Sequence, residues 1–355
     1  MKRVLLLTTL IIASVLFAAA QTPDISWSQT FGGPNDDEGK DIIKTTDGGY
    51  AICGYTKSHG KGGKDAIVIK IDKDGNVEWE KYYGDKEDEE ANAIIQASDG
   101  GYVFCGYTES KGRGRKDYYV VKINSKGVAE WEATFGGSKH DIANDIIESY
   151  DGSFITTGQT KSRGAGNWDI WTVKMDNKGN KIWRKTRGGR SIDIGNSLYE
   201  NPADSSVVVL ATTYSEAEGQ SDLWLINLDR NGKKVWLKKY GNENKEQGIG
   251  LIIKSTGEYI MAGISQSKTE RYGNFWVIGF TPESWNDWDH QYGETHDDAA
   301  VDVSETTDNC VVVGGYTREY GEGGYDFWIM KFDATGERVW ENTYGGPEDD
   351  QAYSI

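Results

Sequence analysis

The chain has 355 residues, of which 37% are hydrophobic and 12% aromatic, and its formal net charge is −17 at pH 7. A chain this acidic repels nucleic acid and anionic membranes and tolerates cations, so nucleic-acid binding is excluded as a function class. A modest apolar fraction concentrated in 13 Trp and 20 Tyr is typical of many short, half-buried strands rather than of a helical core.

Residues 1–20 have the composition of a secretory signal peptide. Lys2 and Arg3 precede an apolar run from Val4 to Phe17 that is too short to span a bilayer comfortably, and alanines at 18–20 form a cleavage site. Without Lys2 and Arg3 the 39 basic residues fall to 37 against 56 acidic ones, which gives the mature chain a net charge of −19. We predict a secreted or periplasmic protein that starts at Gln21, with no membrane insertion after cleavage.

A tryptophan recurs along the rest of the chain with spacings of 52, 52, 52, 53, 52 and 52 residues. The seven positions are Trp27, Trp79, Trp131, Trp183, Trp236, Trp288 and Trp340. Self-similarity at a fixed period is the signature of a repeat architecture and outweighs any local prediction.

Each repeat contains four short strands separated by turns. One unit reads "ANAIIQAS", a turn at Asp99-Gly100, "YVFCGYT", a Gly-rich loop, "YYVVKIN", a turn "SKG" and "VAEWEATFGG". Asp-Gly pairs are strong hairpin signals, and the third strand is apolar on both faces, as expected for a sheet packed between two others. Four-stranded sheets at this period predict an all-β propeller; the rival parallel β-helix has shorter coils and needs no hairpin signals.

Residues 21–355 therefore form one predicted propeller domain. Its complete units lie near 37–84, 89–136, 141–188, 193–241, 246–293 and 298–345, and single strands are predicted at 25–33 and 349–355. These two strands would be parts of one further blade, so we expect seven blades with the last one incomplete; the alternative is a six-bladed ring with two surplus strands.

Cys53 and Cys105 occupy the same position in adjacent repeats. Neighbouring sheets stack about 10 Å apart, which is too far for a disulfide. We predict that these two and Cys310 are small buried thiols.

An acid stands ten residues after every marker tryptophan. The set is Asp37, Glu89, Asp141, Asp193, Glu246, Asp298 and Asp350. A small residue, Gly or Ala, always follows two positions later, as expected for the crowded innermost strand. The acids would then form a ring at the mouth of the central channel. Either this ring binds cations or a polyhydroxylated ligand, or each carboxylate accepts backbone N–H bonds and caps its own blade.

A second repeated acid opens the third strand, as Asp65, Asp117, Asp169, Asp222 and Asp326, with Asn274 in the fifth unit. We interpret it as a turn cap. The Gly-rich loops precede no helix that could receive a phosphate, and the four histidines have neither zinc spacing nor a recognisable triad. No cofactor is predicted; the acid clusters lack the ligand spacing of a calcium loop, so calcium has only a weak signal.

The unit "DGGYxxxGYTxSxGxGxxDxxVxKIDxxGNxxWxxxYGG" resembles the secreted β-propeller repeat proteins of bacteria, some of which are classed as carbohydrate-active or lectin-like. The resemblance covers nearly all of the mature chain; it implies a glycan link and names no catalytic residue. The "DxxGxxxW" element also looks like the tryptophan motif of quinoprotein propellers, but its spacing is one residue shorter and no cofactor-binding set accompanies it.

We expect a non-enzymatic binding module or scaffold that recognises a glycan or a protein on the loop-rich face. Aromatic side chains beside the loops, such as Trp168 and Tyr325, would stack on the ligand, with the repeated acids around them. The alternative is a polysaccharide hydrolase of the endoglucanase type, or a lyase, that uses carboxylates on the same face. The sequence does not give the oligomeric state.

Overall fold

The computed structural model describes residues 25–241, 243–266 and 272–355, and in these ranges the regular structure is entirely β-strand. Six sheets form, each of four antiparallel strands that follow one another in chain order. The predicted signal peptide lies outside the described residues. Among the described residues, no helix is long and apolar enough to cross a membrane.

The strands fall into four equivalent sets. The first strands are β1 (Asp37–Lys44), β5 (Glu89–Gln96), β9 (Asp141–Glu148), β13 (Asp193–Glu200), β17 (Glu246–Ile253) and β21 (Ala299–Glu305). The second strands are β2 (Tyr50–Thr56), β6 (Tyr102–Thr108), β10 (Phe154–Thr160), β14 (Val207–Thr213), β18 (Tyr259–Gln266) and β22 (Val311–Thr317). The third strands are β3 (Asp65–Ile71), β7 (Asp117–Ile123), β11 (Asp169–Met175), β15 (Asp222–Leu228), β19 (Gly273–Phe280) and β23 (Asp326–Phe332). The fourth strands are β4 (Val77–Tyr83), β8 (Ala129–Phe135), β12 (Lys181–Arg187), β16 (Lys234–Tyr240), β20 (Trp288–Tyr292) and β24 (Arg338–Tyr344).

The six sheets are the blades of a β-propeller, which confirms the predicted fold. First strands of successive blades contact one another, so they form the inner ring, whereas the fourth strands are the most exposed and lie at the periphery. Apolar clusters fill each space between successive blades; the cluster between the first two contains Val68 and Ala91, and the next contains Ala93 and Trp171. The third strands of the first five blades, such as β7 and β11, are therefore covered on both faces and buried along their whole length, whereas buried and half-buried residues alternate in β23.

Every first strand carries a bulge directly after its small residue. The register shifts between Ala91 and Ala93, for example, and the extra residue, Asn92, donates from Nδ2 to the Ala143 carbonyl of the next blade at 2.7 Å. Asn144 makes the same bond to Gly195. The bulge thus turns a side chain out of its own sheet and joins neighbouring blades.

The marker tryptophan also joins blades. Trp79 Nε1 donates to the Ser125 carbonyl, in the turn between the third and fourth strands of the next blade, at 3.1 Å. In the same turn Gly127 has φ of 74°, and a Cβ at that glycine would lie 3.0 Å from the Trp79 ring. The spacing of glycine and tryptophan in each repeat therefore reflects contacts between units.

The number of blades differs from the first expectation. Six complete blades are present, as in the stated alternative, and segments 25–33 and 349–355 are not strands. A strand requires a hydrogen-bonded neighbour, and no described residues lie beside these two segments as second and third strands of a further blade. Cys53 and Cys105 are buried free thiols as predicted, whereas Cys310 is only half-buried.

Candidate functional site

The seven repeated acids lie on one rim of the ring, at or beside the start of the innermost strand or of segment 349–355. All first strands run in the same direction, so their first residues share one face. Glu89, Asp141, Asp193, Glu246 and Asp298 are at most 1% exposed, while Asp37 and Asp350 are half-buried.

Asp141 illustrates what these carboxylates contact. One oxygen accepts from the Thr160 hydroxyl of the second strand; the other accepts from the Ser162 hydroxyl at 2.6 Å and from Gly137 N–H at 3.0 Å. Asp193 accepts from the equivalent threonine, serine and glycine. The carboxylates face their own blade and the connection that precedes it, which is the geometry of the predicted structural cap.

The pKa values of these acids follow the balance between burial and hydrogen bonding. At Asp37, burial opposes ionisation, but hydrogen bonds from Thr56, Ser58 and the Gly33 backbone lower its pKa to about 2. At Asp298, burial dominates and raises the pKa to about 6, against hydrogen bonds from Thr317 and Arg318.

The second set of acids caps the Gly-rich loops, as predicted. Asp117 Oδ2 accepts from Arg113 N–H at 2.9 Å and from Gly114 N–H at 2.8 Å, and it is 1% exposed. Asp65 accepts from Lys61 and Gly62 in the same way. Burial raises the pKa of Asp117 despite these bonds.

Trp168 and Tyr325 occupy the same repeat position, three blades apart, and both are half-buried rather than fully exposed. Lys161 Nζ lies 4.5 Å from the Trp168 ring centroid, and the Arg318 guanidinium lies 5.5 Å from that of Tyr325. Because they lie three blades apart on the loop face, the two aromatic residues do not form one stacking platform.

Cation–aromatic pairs recur on the loop face of the first three blades. Lys64 Nζ lies 3.7 Å from the Tyr55 ring centroid, and Lys116 Nζ lies 3.6 Å from that of Tyr107. Glu90 accepts from both Lys64 and the Tyr107 hydroxyl at 3.0 Å. In these pairs the cation is held over the ring, where the ring's quadrupole attracts it.

An open cleft of about 470 Å³ lies between the second and third blades. Four cationic side chains line it together with Asp117, Thr134, Phe135 and glycines 112 and 136; the cations are Arg113, Arg163, Lys181 and Arg184. We name these four residues and the space between them the basic cleft. Four cationic side chains stand against one carboxylate, that of Asp117, so the residues that line the cleft have an excess of positive charge in an acidic protein.

One difference between equivalent positions of the second and third blades contributes to this excess charge. In the second blade, loop residue Lys111 pairs with Glu132, the residue after the marker tryptophan. In the third blade these positions are Arg163 and Arg184, so the acid is replaced by a cation. The Arg163 guanidinium lies 5.7 Å from the Trp171 ring centroid, as Lys111 lies over Tyr119. Within the described residues, Arg163 has no carboxylate partner and its buried Nε has no hydrogen-bond partner.

Other cations of the second and third blades lie near His140, which is not among the residues that line the basic cleft. Partial burial lowers the pKa of His140, and the positive charges of Lys161, Lys116 and Arg115 lower it further. Three cations and one acid, Glu109, therefore act on His140, in a chain that carries −17 overall.

The sequence analysis missed the basic cleft because its cations come from two loops and one outer strand, with no regular spacing. A signal was nevertheless available in the repeat alignment. The residue after the marker tryptophan is acidic in four units, Glu80, Glu132, Asp289 and Glu341, and becomes Arg184 in the third.

Three further aspartates lie on the bulged first strands, namely Asp41 in β1, Asp145 in β9 and Asp302 in β21. Asp145 accepts from Leu198 N–H at 2.8 Å and from Ser197 at 3.0 Å, both in the next blade. Burial raises its pKa to about 7, and burial raises that of Asp302 to about 6. These aspartates belong to different blades. Among the described residues, no group of three or more His, Cys, Asp or Glu could hold a metal ion.

Comparisons with known proteins give the fold and no family. The sequence matches no established protein family and no curated protein. Puromycin hydrolase is similar over 89% of this chain and 48% of its own, with a TM-score of 0.57 and 12% identity. The Pan2 WD40 domain of Neurospora crassa is similar over 84% and 76%, with a TM-score of 0.50 and 12% identity. At these identities the likeness shows the propeller fold alone.

Proposed function

We propose that the protein is a non-enzymatic binding propeller that recognises an acidic glycan through the basic cleft. The observation that carries this proposal is the replacement of the acid of the second blade, Glu132, by Arg184 in the third, which leaves Arg163 without a carboxylate partner among the described residues. Within the described residues, a cation that contacts only the Gly136 carbonyl and the Trp171 ring, and no carboxylate, keeps donors for a ligand anion.

The chemistry of the cleft favours a carboxylated or sulfated sugar. Guanidinium groups bind such planar or multidentate anions through paired, charge-assisted hydrogen bonds. A cleft of about 470 Å³ falls in the size range of small-ligand sites. Phe135 supplies an apolar wall, and the loops of both blades offer backbone groups to sugar hydroxyls.

The net charge of the chain supports specificity. A protein with a net charge of −17 repels polyanions at long range. Only a ligand that places its anionic groups inside the basic cleft therefore gains free energy from binding. A glycan outside the cell would be encountered by an exported chain, and export is what we propose for a leader at residues 1–20.

An enzyme of the hydrolase or lyase class remains the second candidate, and it needs a second carboxylate in the cleft. Glycoside hydrolysis uses two carboxyl groups about 5 to 10 Å apart. Asp117 is the single carboxylate among the residues that line the cleft. This arrangement favours binding without bond cleavage.

The test is calorimetric titration of the purified chain with oligogalacturonate, a sulfated oligosaccharide and a neutral cello-oligosaccharide, while reducing ends and unsaturated products are monitored. We expect binding of an anionic sugar, none of the neutral one, and no product. Binding of the neutral sugar would overturn the proposal, binding of no sugar would favour a protein ligand, and product release would favour the enzyme.

The variant Arg184→Glu gives the sharpest control. It restores the ion pair seen between Lys111 and Glu132, so binding should fall at least about tenfold while stability stays equal or rises slightly. The matched control is Lys73→Ala, because Lys73 is an exposed cation whose side chain pairs with Asp74 in a turn of the first blade. Equal loss of binding in both variants would indicate a nonspecific charge effect.

A further inference from the structure

The third strands of the second to sixth blades carry an aromatic residue with a polar hydrogen at one repeat position. The residues are Tyr119, Trp171, Trp224, Trp276 and Trp328. All five are at most 6% exposed. The hydroxyl or indole N–H of such a buried side chain normally has an acceptor. The acceptor differs between the blades, and the difference bears on the ligand of the basic cleft.

In the fifth blade the acceptor is the acid that follows the marker tryptophan. Trp276 Nε1 donates to Asp289 Oδ1 at 2.7 Å. Ile278, two residues after Trp276 in β19, is opposite Asp289 in β20, so the acid lies diagonally across from the indole on the same face of the sheet. A carboxylate on the outer strand thus satisfies the buried donor.

The second blade has the same arrangement with different residues. Val121, two residues after Tyr119, is opposite Glu132 in β8. Burial and the nearby charge of Glu132 raise the pKa of the Tyr119 hydroxyl. Lys111 pairs with the same carboxylate and lies over the Tyr119 ring. One carboxylate therefore serves both a loop cation and the polar group of a buried aromatic side chain.

The third blade has both donors and lacks the acid. Val173, two residues after Trp171, is opposite Arg184, which therefore stands where Asp289 stands in the fifth blade. Among the described residues, neither Trp171 Nε1 nor Arg163 Nε has a hydrogen-bond partner, and both atoms are buried. The Arg163 guanidinium lies 5.7 Å from the Trp171 ring centroid. Two neighbouring donors that an acid would satisfy are thus left without one.

The fourth blade shows that a buried indole without an acceptor is not enough for an anion site. Within the described residues Trp224 Nε1 also has no partner, and Leu237 follows the marker tryptophan. The loop position of Arg163 is occupied there by Glu216, which pairs with Lys239 at 2.7 Å. A ligand anion at that position would be repelled by Glu216. The third blade instead combines the indole with a loop cation.

We propose that a carboxylate of the ligand takes the place of the missing acid and accepts hydrogen bonds from Trp171 Nε1 and from Arg163. This inference rests on the proposed function and makes it more specific, because the anionic sugar is then a uronic acid and Trp171 determines the specificity for it. Protein carboxylates occupy the equivalent position in the second and fifth blades, so the fold accommodates a planar group with two acceptor oxygens there.

Arg163 has to turn for the ligand to reach the indole. Its guanidinium lies over the Trp171 ring, and Nη2 donates to the Gly136 carbonyl at 3.5 Å, which is a long and weak hydrogen bond. Rotamer changes of single side chains are common when a ligand binds. The cation that lies over the ring can therefore turn with the carboxylate and donate to it.

The experiment observes the indole N–H resonances of the isotope-labelled full chain by NMR, before and after saturation with oligogalacturonate. Trp171→Phe assigns the Trp171 resonance by its disappearance, and Trp224→Phe assigns that of Trp224. We expect the Trp171 resonance to move downfield and its exchange with solvent to slow, because its N–H gains a charged acceptor. The Trp224 resonance should not change.

The same two variants form a matched pair for affinity. Each removes one buried indole N–H that has no partner among the described residues, and each loses the same ring atoms, so similar changes in melting temperature are expected. Trp171→Phe should weaken oligogalacturonate binding at least about tenfold, whereas Trp224→Phe should leave it unchanged. Equal affinities in the two variants would contradict a role of Trp171 in specificity.

The variant Arg184→Asp tests the geometry without a ligand. It places an acid opposite Val173, as Asp289 is placed opposite Ile278. We expect the Trp171 resonance of the free variant to move downfield, and oligogalacturonate binding to be lost because the variant's own carboxylate fills the position. An unchanged Trp171 resonance would show that an acid there does not reach the indole, and the inference would fail.

The outcomes separate this inference from the proposed function. Calorimetric binding of oligogalacturonate with an unchanged Trp171 resonance overturns the inference and leaves the proposed function in place. A sulfated oligosaccharide that shifts the Trp171 resonance equally overturns the choice of a carboxylate. If no anionic sugar binds, both fail, even where Arg184→Asp shifts the Trp171 resonance.

Discussion

Asp141 and its counterparts are the clearest case of a repeated residue that serves the repeat. Three hydrogen bonds converge on a carboxylate that is fully buried, and each donor belongs to the same blade or to the connection before it. We expect Asp141→Ala to lower the free energy of unfolding by about 2–4 kcal/mol, because buried donors lose a charged acceptor. Chemical denaturation measures this, with the exposed Asp74→Ala as control. A change in glycan affinity with unchanged stability would contradict the structural role.

Asp145 gives the molecule a pH dependence. Its pKa is raised from 3.8 to about 7, so the folded state favours the protonated form. The stabilisation by this proton is complete below the unfolded pKa of 3.8 and is lost as the pH rises through about 7. We expect unfolding free energy to fall on the order of 2 kcal/mol between about pH 5 and about pH 8, less than the full shift at about 1.4 kcal/mol per unit.

The variant Asp145→Asn isolates this contribution, because an amide does not titrate. Its stability should decline less over the same pH range, while Asp298 and Asp302, whose pKa values are also raised, keep part of the slope. Melting temperatures at several pH values provide the measurement. An identical slope in the variant and the natural chain would show that Asp145 is ionised throughout.

At the scale of the element, the turn between the third and fourth strands is a contact between blades. Gly127 combines positive φ with close packing under the Trp79 ring. We expect Gly127→Ala to destabilise the protein by about 1–2 kcal/mol, from the left-handed backbone alone, with the ring contact adding to it. Gly100→Ala is the matched control, since it has φ of 83° and no atom within 4 Å of its added Cβ. Equal losses in both variants would mean that the tryptophan contact contributes nothing.

The element scale also shows what the sequence could predict. Strand order, turn positions and the buried third strands follow from the 52-residue period, because hairpin signals and apolar runs are local. The direction of a side chain across an interface is not local. Bonds such as that from Asn92 to Ala143, or the placement of the Lys161 ammonium over the Trp168 ring, depend on how sheets and loops pack, and periodicity does not encode that.

At the scale of the whole molecule, the repeat makes the exceptions informative. Each position of one unit can be compared with the same position in the other five complete units. The difference between Glu132 in the second unit and Arg184 in the third then stands out as a local reversal of charge. The converse change, Glu132→Arg, removes the carboxylate that pairs with Lys111 and puts a second cation in its place. We expect it to create an additional anion-binding site. Titration should then give two sites per chain instead of one; one unchanged site would mean that the basic cleft depends on more than this reversal.

The central claim is that the basic cleft holds the ligand, and an exchange footprint tests it most directly. Amide hydrogen exchange of the full chain would be measured with and without saturating oligogalacturonate. We expect slower exchange in the loops near 110–116 and 161–168, with no change in the equivalent loop near 58–64 of the first blade. Protection spread over all blades, or confined to the rim of repeated acids, would contradict the claim.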